Sequence, residues 1–207
     1  VKTDKKFKFL FVGGTIWRKG ADVLVNAYIK TFTASDDVSL IIKDIGHDTF
    51  YRGMGLGEQL KKIQENPSMP EIIYIKDFLS EKEMAGLYTA CDCLLHPYRG
   101  EGFAFPVLEA MACGLPAVTT EIWGLKEYLG EELTGSGFVE FVPLPRMKGI
   151  DIPAEECVEG FKDNLKLAIK KQIKNIHKGY ISFAPLKEAV EGLPWEGVFN
   201  RVDDFLK

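Results

Sequence analysis

From Phe7 to Val12 every position but Lys8 is apolar, and Gly13-Gly14 ends the run. A stretch with no polar alternation suits a strand buried on both faces. After Gly20, the residues Val23, Leu24, Ala27, Tyr28 and Phe32 recur at helical spacing, which predicts a helix. The alternation then repeats: a strand over 39–45, a helix over 56–66, a strand over 72–75, a helix over 81–90, a strand over 91–95, a short helix, and a strand over Ala117–Thr120. Ser80 and Glu83 form a capping box where the 81–90 helix starts. The short helix begins at Pro106, which suits a first helical position, and ends before Gly114 and Pro116. A sixth strand is expected over 138–142. This order predicts an α/β fold, with right-handed βαβ units forming a mainly parallel six-stranded sheet covered by helices on both faces. Beyond Pro145 the pattern changes to extra helices without clear strands, roughly 153–177, 185–191 and 195–206.

Ligands of parallel sheets bind outside the carboxyl ends of the strands. That rule brings together the loops 13–19, 76–80 and 96–105. The last of these enters the short helix through Glu101-Gly-Phe-Ala-Phe-Pro-Val-Leu-Glu109. Phe105, Val107, Leu108, Ala110, Met111, Ala112 and Cys113 are apolar all round this helix, so it is expected to be buried. Glu109 is its only charge and needs a partner. The helix dipole or a folded-over Lys or Arg could serve, and so could a ligand hydroxyl. The amides of Gly102, Phe103 and Ala104 can point at an anion, and Glu101 stands at the mouth of the same turn. Carboxylates accept bonds from diols while amides serve phosphate oxygens. A sugar nucleotide has both parts.

The first loop, Gly13-Gly-Thr-Ile-Trp-Arg-Lys-Gly20, is a Gly-rich turn carrying Arg18 and Lys19. Such a loop can lie close to a diphosphate, with lysine as a point charge; it can also be a tight turn and nothing more. His96 could bond a sugar hydroxyl, although a histidine in an apolar run is more often a satisfied core residue. Arg99 is a further candidate cation, and His47 and His177 are expected at the surface.

The composition, with 207 residues, 46% of them hydrophobic and 27% charged, fits one globular domain. A net charge of −4 argues against a nucleic-acid partner, so any phosphate site must be local. Cys91, Cys93, Cys113 and Cys157 lack metal-ligand spacing and read as reduced core thiols. No apolar run approaches the ~20 residues of a membrane span and no signal peptide is present, so the expected location is cytoplasmic. Lys162, Lys166, Lys170, Lys174 and Lys178 lie four apart and could touch anionic lipid. Glu155, Glu156, Glu159 and Asp163 break up that charge, so a solvated face is favoured over membrane contact. The chain begins at Val1 rather than Met and is expected to be a piece of something longer.

The segment 101–109 resembles the E-x7-E motif of retaining glycosyltransferases of family 4 (group 1), which have the GT-B fold of two Rossmann-like domains. The neighbouring words match too, from His96-Pro97 to Ala110-Met-Ala-Cys-Gly-Leu-Pro-Ala-Val-Thr119. The resemblance implies that residues 1–207 are the donor-binding half, one Rossmann-like domain, and that the N-terminal acceptor domain is absent. It implies that Glu101 contacts donor-sugar hydroxyls, Glu109 the ribose, and the Gly102-Phe103 turn the diphosphate. It also places the nucleobase at Asp77, Phe78 and Leu79, and the diphosphate against Gly13, Gly14 and Lys19-Gly20. Lys19 and the motif turn would be electrostatic catalysts, with Glu101 beside the reacting sugar and neither metal nor cofactor required. In the family an Arg stands where this chain has Gly14, with Arg18 the nearest cation. The resemblance further implies a hexosyltransferase whose isolated half transfers no sugar. Alternatives are a sugar-nucleotide epimerase or sugar phosphorylase of the same architecture, or a non-catalytic nucleotide-sugar-binding module.

Overall fold

The computed structural model describes residues 1–46, 55–120 and 139–142. Six strands, β1 (Phe7–Val12), β2 (Val38–Lys43), β3 (Glu71–Ile75), β4 (Cys93–His96), β5 (Ala117–Thr120) and β6 (Val139–Val142), form one sheet in the order β3-β2-β1-β4-β5-β6. Every pairing is parallel. The α-helices of the described residues are α1 (Ala21–Thr31), α2 (Gly57–Gln64), α3 (Glu81–Thr89) and α4 (Phe105–Ala112).

Strand alternation sorts the apolar side chains into two cores, one on each face of the sheet. Phe9, Phe11, Leu40 and Ile42 pack with Val23, Leu24, Ala27 and Tyr28 of α1 and with Leu60 and Ile63 of α2. Leu10, Val12, Ile41 and Leu94 pack with Leu87 and Tyr88 of α3 and with Val107, Ala110 and Met111 of α4. Helices therefore cover both faces, as the alternation predicts. Burying each large side chain contributes roughly 1.5–3 kcal/mol, and this pairing of layers uses most of the apolar positions in the described chain.

The chain builds β1, β2 and β3 outward in one direction, then places β4 on the other side of β1. The carboxyl ends of β1 and β4 consequently border the point where strand order reverses, the crevice where such sheets bind ligands. Gly20 closes this junction. It has φ +73°, and a Cβ there would lie 1.7 Å from the carbonyl oxygen of Pro97. Only glycine allows the start of α1 to approach the β4–α4 loop so closely.

Several boundaries differ from the sequence reading. Pro106 stands at the second position of α4, behind Phe105; its missing N–H is still one of the helix's unpaired first donors. Helix α4 is not buried all round, because Phe105 at its mouth is 46% exposed and stacks on Phe103 with centroids 4.9 Å apart. Strand β2 stops at Lys43, although the Asp44 amide still donates to the Ile75 carbonyl at 2.9 Å. The capping box at Ser80 is present, with Ser80 and Glu83 exchanging bonds. Cys91 and Cys93 are buried and Cys113 is half-buried; burial pushes the Cys91 thiol up to about 12. The C-terminal helices, the lysine stripe, Cys157, His47 and His177 lie outside the described residues.

Two glycine substitutions should behave oppositely in urea denaturation. Gly20→Ala should cost more than about 2 kcal/mol, because a strained φ combines with a backbone clash. Gly86→Ala should gain ~0.5–1 kcal/mol, because this glycine lies within α3 with no atom near an added Cβ.

Candidate functional site

The β1–α1 loop and the β4–α4 loop are clasped by side chains of both. Arg99 donates to both carboxylate oxygens of Asp22 at 2.7 Å and to the Trp17 carbonyl at 2.6 Å. Its guanidinium also lies over the Trp17 ring, 4.6 Å from the centroid. The Arg99 amide donates to the Arg18 carbonyl at 3.0 Å. Arg99, a further candidate cation by sequence, is held here as a clasp by its bidentate pair with Asp22.

Within that clasp the two loops join Lys19 to Glu101. The Lys19 ammonium is paired with Glu101 Oε2, and both side chains are largely buried, at 16% and 14% exposed. Arg18 Nη1 stands 3.5 Å from the same oxygen and donates to the Gly100 carbonyl at 2.9 Å. Glu101 Oε1 accepts from the Gly102 amide at 3.1 Å. Burial alone would raise the Glu101 pKa, but the Lys19 bond and charge, the Gly102 amide and Arg18 together hold it below the usual carboxylate range. Arg18 therefore stands beside the Lys19–Glu101 pair, with its side chain 45% exposed. A Cβ at Gly14 would meet only ordinary contacts, the nearest at 3.8 Å, so sterics do not demand a glycine there. Gly13 is different: at φ +149° it lies against His96, which a Cβ would meet at 3.6 Å.

Beneath the ion pair runs a column of rings. Lys19 Nζ lies 5.3 Å from the Tyr98 ring centroid. Tyr98 stacks on His96 at 3.9 Å, and His96 lies tilted against Phe11 at 4.8 Å. His96 is fully buried, and its Nε2 bonds the Val12 carbonyl; a carbonyl only accepts, so Nε2 carries the proton. His96 Nδ1 and the Tyr98 hydroxyl have no partner among the described residues. Burial pulls the His96 pKa down to about 3, opposed by the Val12 bond and assisted by the Lys19 charge, so the ring is neutral at physiological pH. Among the described residues His96 makes one side-chain bond and leaves Nδ1 open, so it is a half-satisfied core residue.

Helix α4 enters through Ala104, which is in the left-handed region at φ 57° and ψ 41° and almost fully buried. A non-glycine residue there is uncommon, and held strain of this kind collects at binding turns. One turn on, Glu109 accepts from the Tyr88 hydroxyl at 2.6 Å. Its structural partner is therefore a phenol from α3, where the sequence suggested a dipole, a cation or a ligand. Burial, and after it the charge and bond of Glu109, push the Tyr88 pKa well up. A tyrosine on the core face of a predicted helix needs a partner for its hydroxyl, and that was the available signal.

Phe78 stands on the β3–α3 loop at the same carboxyl end of the sheet and is 93% exposed, while Leu79 packs against the α4-side core. Beside them is a network that sequence reading missed. The buried Asp44 accepts from the Thr15 hydroxyl at 2.9 Å, the Tyr74 hydroxyl at 2.6 Å and the Gly46 amide at 2.7 Å. Lys43, 5% exposed, donates to the Asp44 carbonyl at 2.9 Å. Burial lowers the Lys43 pKa against the opposing charges of Asp44 and Asp77.

The family model for glycosyl transferases group 1 matches residues 1–142. An uncharacterised glycosyltransferase of Methanocaldococcus jannaschii is 33% identical over 131 residues, which is 61% of this chain and 32% of the relative. A D-inositol 3-phosphate glycosyltransferase of Arthrobacter sp. is 28% identical over 130 residues, 63% of this chain and 30% of the relative. The chain spans about a third of the length of these curated relatives. Among solved structures, sucrose-phosphate synthase from Thermosynechococcus elongatus superposes with a TM-score of 0.67 at 20% identity, over 100% of this chain and 46% of that one. The catalytic domain of cholesterol-α-glucosyltransferase from Helicobacter pylori gives 0.60 at 16% identity, over 90% of this chain and 99% of that one. These likenesses establish a Rossmann-like α/β fold matching GT-B glycosyltransferases. Among the described residues no helix is long and apolar enough to cross a membrane.

The state of His96 sets a pH dependence. With a folded pKa near 3 and an unfolded value of about 6.5, the unfolded chain binds the extra proton. Stability is then complete above about pH 6.5 and declines as pH falls toward 3. Denaturation midpoints should drop between pH 6.5 and 5, with a smaller slope in His96→Gln. Proton NMR should find no His96 titration down to about pH 4.

Proposed function

The chain belongs to the glycosyl transferases group 1 family, and from that premise we propose that it is the donor-binding half of a retaining, family 4 glycosyltransferase of hexosyltransferase type. The ligand is a nucleotide sugar bound without metal, and the acceptor is held by an N-terminal GT-B domain outside this chain. The observation that carries the reading is the meeting of Lys19, Arg18, Glu101 and the 102–104 turn at the reversal point of the sheet. Cations and amides there suit a diphosphate, and carboxylates suit hydroxyls.

Lys19, Arg18 and the amides of Gly102, Phe103 and Ala104 take the diphosphate, with Gly13 and Gly14 giving the loop its close approach. Glu101 receives hydroxyls of the donor sugar, and Glu109, held by Tyr88, receives the ribose diol. Phe78 and Leu79 border the base. His96, neutral and buried, supports the floor beneath Gly13 and Tyr98. In transfer, the bond between the anomeric carbon and the diphosphate oxygen breaks, the acceptor oxygen takes that carbon on the same face, and the acceptor's hydroxyl proton passes to the departing diphosphate oxygen. Charge builds on the departing diphosphate, so Lys19 and fixed amide dipoles in a partly dry crevice lower the barrier. The half alone transfers no sugar, because acceptor and donor must be held in line.

Calorimetry of the 207-residue chain with UDP, GDP and their sugar esters in EDTA should find a saturable site. No binding at millimolar ligand, with binding restored by magnesium or manganese, would contradict the reading. Glu109→Gln should weaken the nucleotide by ~1–3 kcal/mol. Tyr88→Phe should weaken it by about 1 kcal/mol, because the carboxylate loses the hydroxyl that aims it.

A further inference from the structure

The crevice already contains an anion, the carboxylate of Glu101. Oε2 takes the Lys19 ammonium and approaches Arg18 Nη1 at 3.5 Å, and Oε1 takes the Gly102 amide at 3.1 Å. These three are the donors that the functional reading assigns to the diphosphate. The single Gly102 N–H is already taken by Oε1, and a phosphate brought up to the Lys19 ammonium meets the like charge of the carboxylate at close range. The ion pair is largely buried, and separating buried opposite charges without replacement partners is costly.

We propose that Glu101 is a specificity-determining residue that acts as an internal placeholder anion. A ligand bearing a diphosphate must displace its carboxylate from Lys19, Arg18 and Gly102, and only a ligand that also offers sugar hydroxyls gives the displaced carboxylate new donors. The site thereby favours a sugar diphosphate over a bare diphosphate. After transfer, the product nucleoside diphosphate lacks those hydroxyls, and the returning carboxylate competes it off Lys19. This role rests on the donor-site reading for its ligand, while the competition itself rests only on the contacts of Glu101.

The test separates those two layers by titrating inorganic pyrophosphate, UDP, GDP, UDP-glucose and GDP-mannose into the wild-type chain and Glu101→Gln in EDTA. The neutral amide keeps the shape but gives up the anion. Pyrophosphate and the free nucleoside diphosphate should bind the variant about ten-fold tighter, the size of one charge-assisted bond. The sugar ester that binds the wild type should bind the variant more weakly. In a Lys19→Ala background the gain for pyrophosphate should shrink or vanish, because the two residues act as one unit. Glu101→Ala should show the same signs if Gln disturbs the loop. Unchanged or weaker pyrophosphate binding by both variants overturns the placeholder role. Tighter pyrophosphate binding with no sugar ester bound by the wild type leaves the competition standing, but overturns the sugar-diphosphate selectivity and the donor-site reading together.

Discussion

The approach of Gly20 to the Pro97 carbonyl is the constraint on which the site depends. It brings the loop after β1 within reach of the loop after β4, two segments about eighty residues apart in sequence, and leaves no room for a side chain between them. Arg99 then clamps the junction through Asp22 and the Trp17 carbonyl. With backbone and clasp in place, Lys19 and Glu101 meet without either needing a flexible reach. A charged group held by packing loses less entropy on engaging a ligand than one on a free surface.

Burial gives these charges their weight. On an exposed surface an ion pair contributes little, and a chain of net charge −4 creates no general field to draw in a dianion. In the crevice, Lys19 and Glu101 are mostly shielded from water, Lys19 lies over the Tyr98 ring, and Glu101 accepts from the Gly102 amide. The same dryness keeps His96 neutral, so the floor of the site adds no competing positive charge. Ala104 keeps the motif turn in a left-handed conformation, a departure from local backbone preference among the described residues.

Much of the fold was legible in the sequence because strand and helix periods differ so sharply. The apolar run of Phe7–Val12, broken only by Lys8, and the four-residue run of Ala117–Thr120 marked both bounds of their strands, and Ser80 with Glu83 marked a helix start. Buried all-round apolarity was a weaker guide. It placed α4 against the sheet but missed that Phe105 opens onto the crevice beside Phe103. The polar cross-connections were the least legible: Tyr88 to Glu109, Arg99 to Asp22, and Asp44 to Thr15 and Tyr74 join residues 21 to 77 positions apart. Their spacing carries no local period, so only the tertiary path of the chain could pair them. Residue types alone offered Arg99 as a candidate cation and left Tyr88 unread; the geometry pairs Arg99 with Asp22 and Tyr88 with Glu109.

On the proposed donor-binding role, a sugar diphosphate binds at the junction of the β1–α1 and β4–α4 loops. A crystal structure of the 207-residue chain grown with the sugar ester it binds in solution would test this most directly. The account predicts diphosphate oxygens within hydrogen-bond distance of Lys19 Nζ and the 102–104 amides, with Glu101 rotated from Lys19 onto sugar hydroxyls and Glu109 on the ribose. A ligand seated elsewhere, or one bound here with the Lys19–Glu101 pair intact, would contradict it.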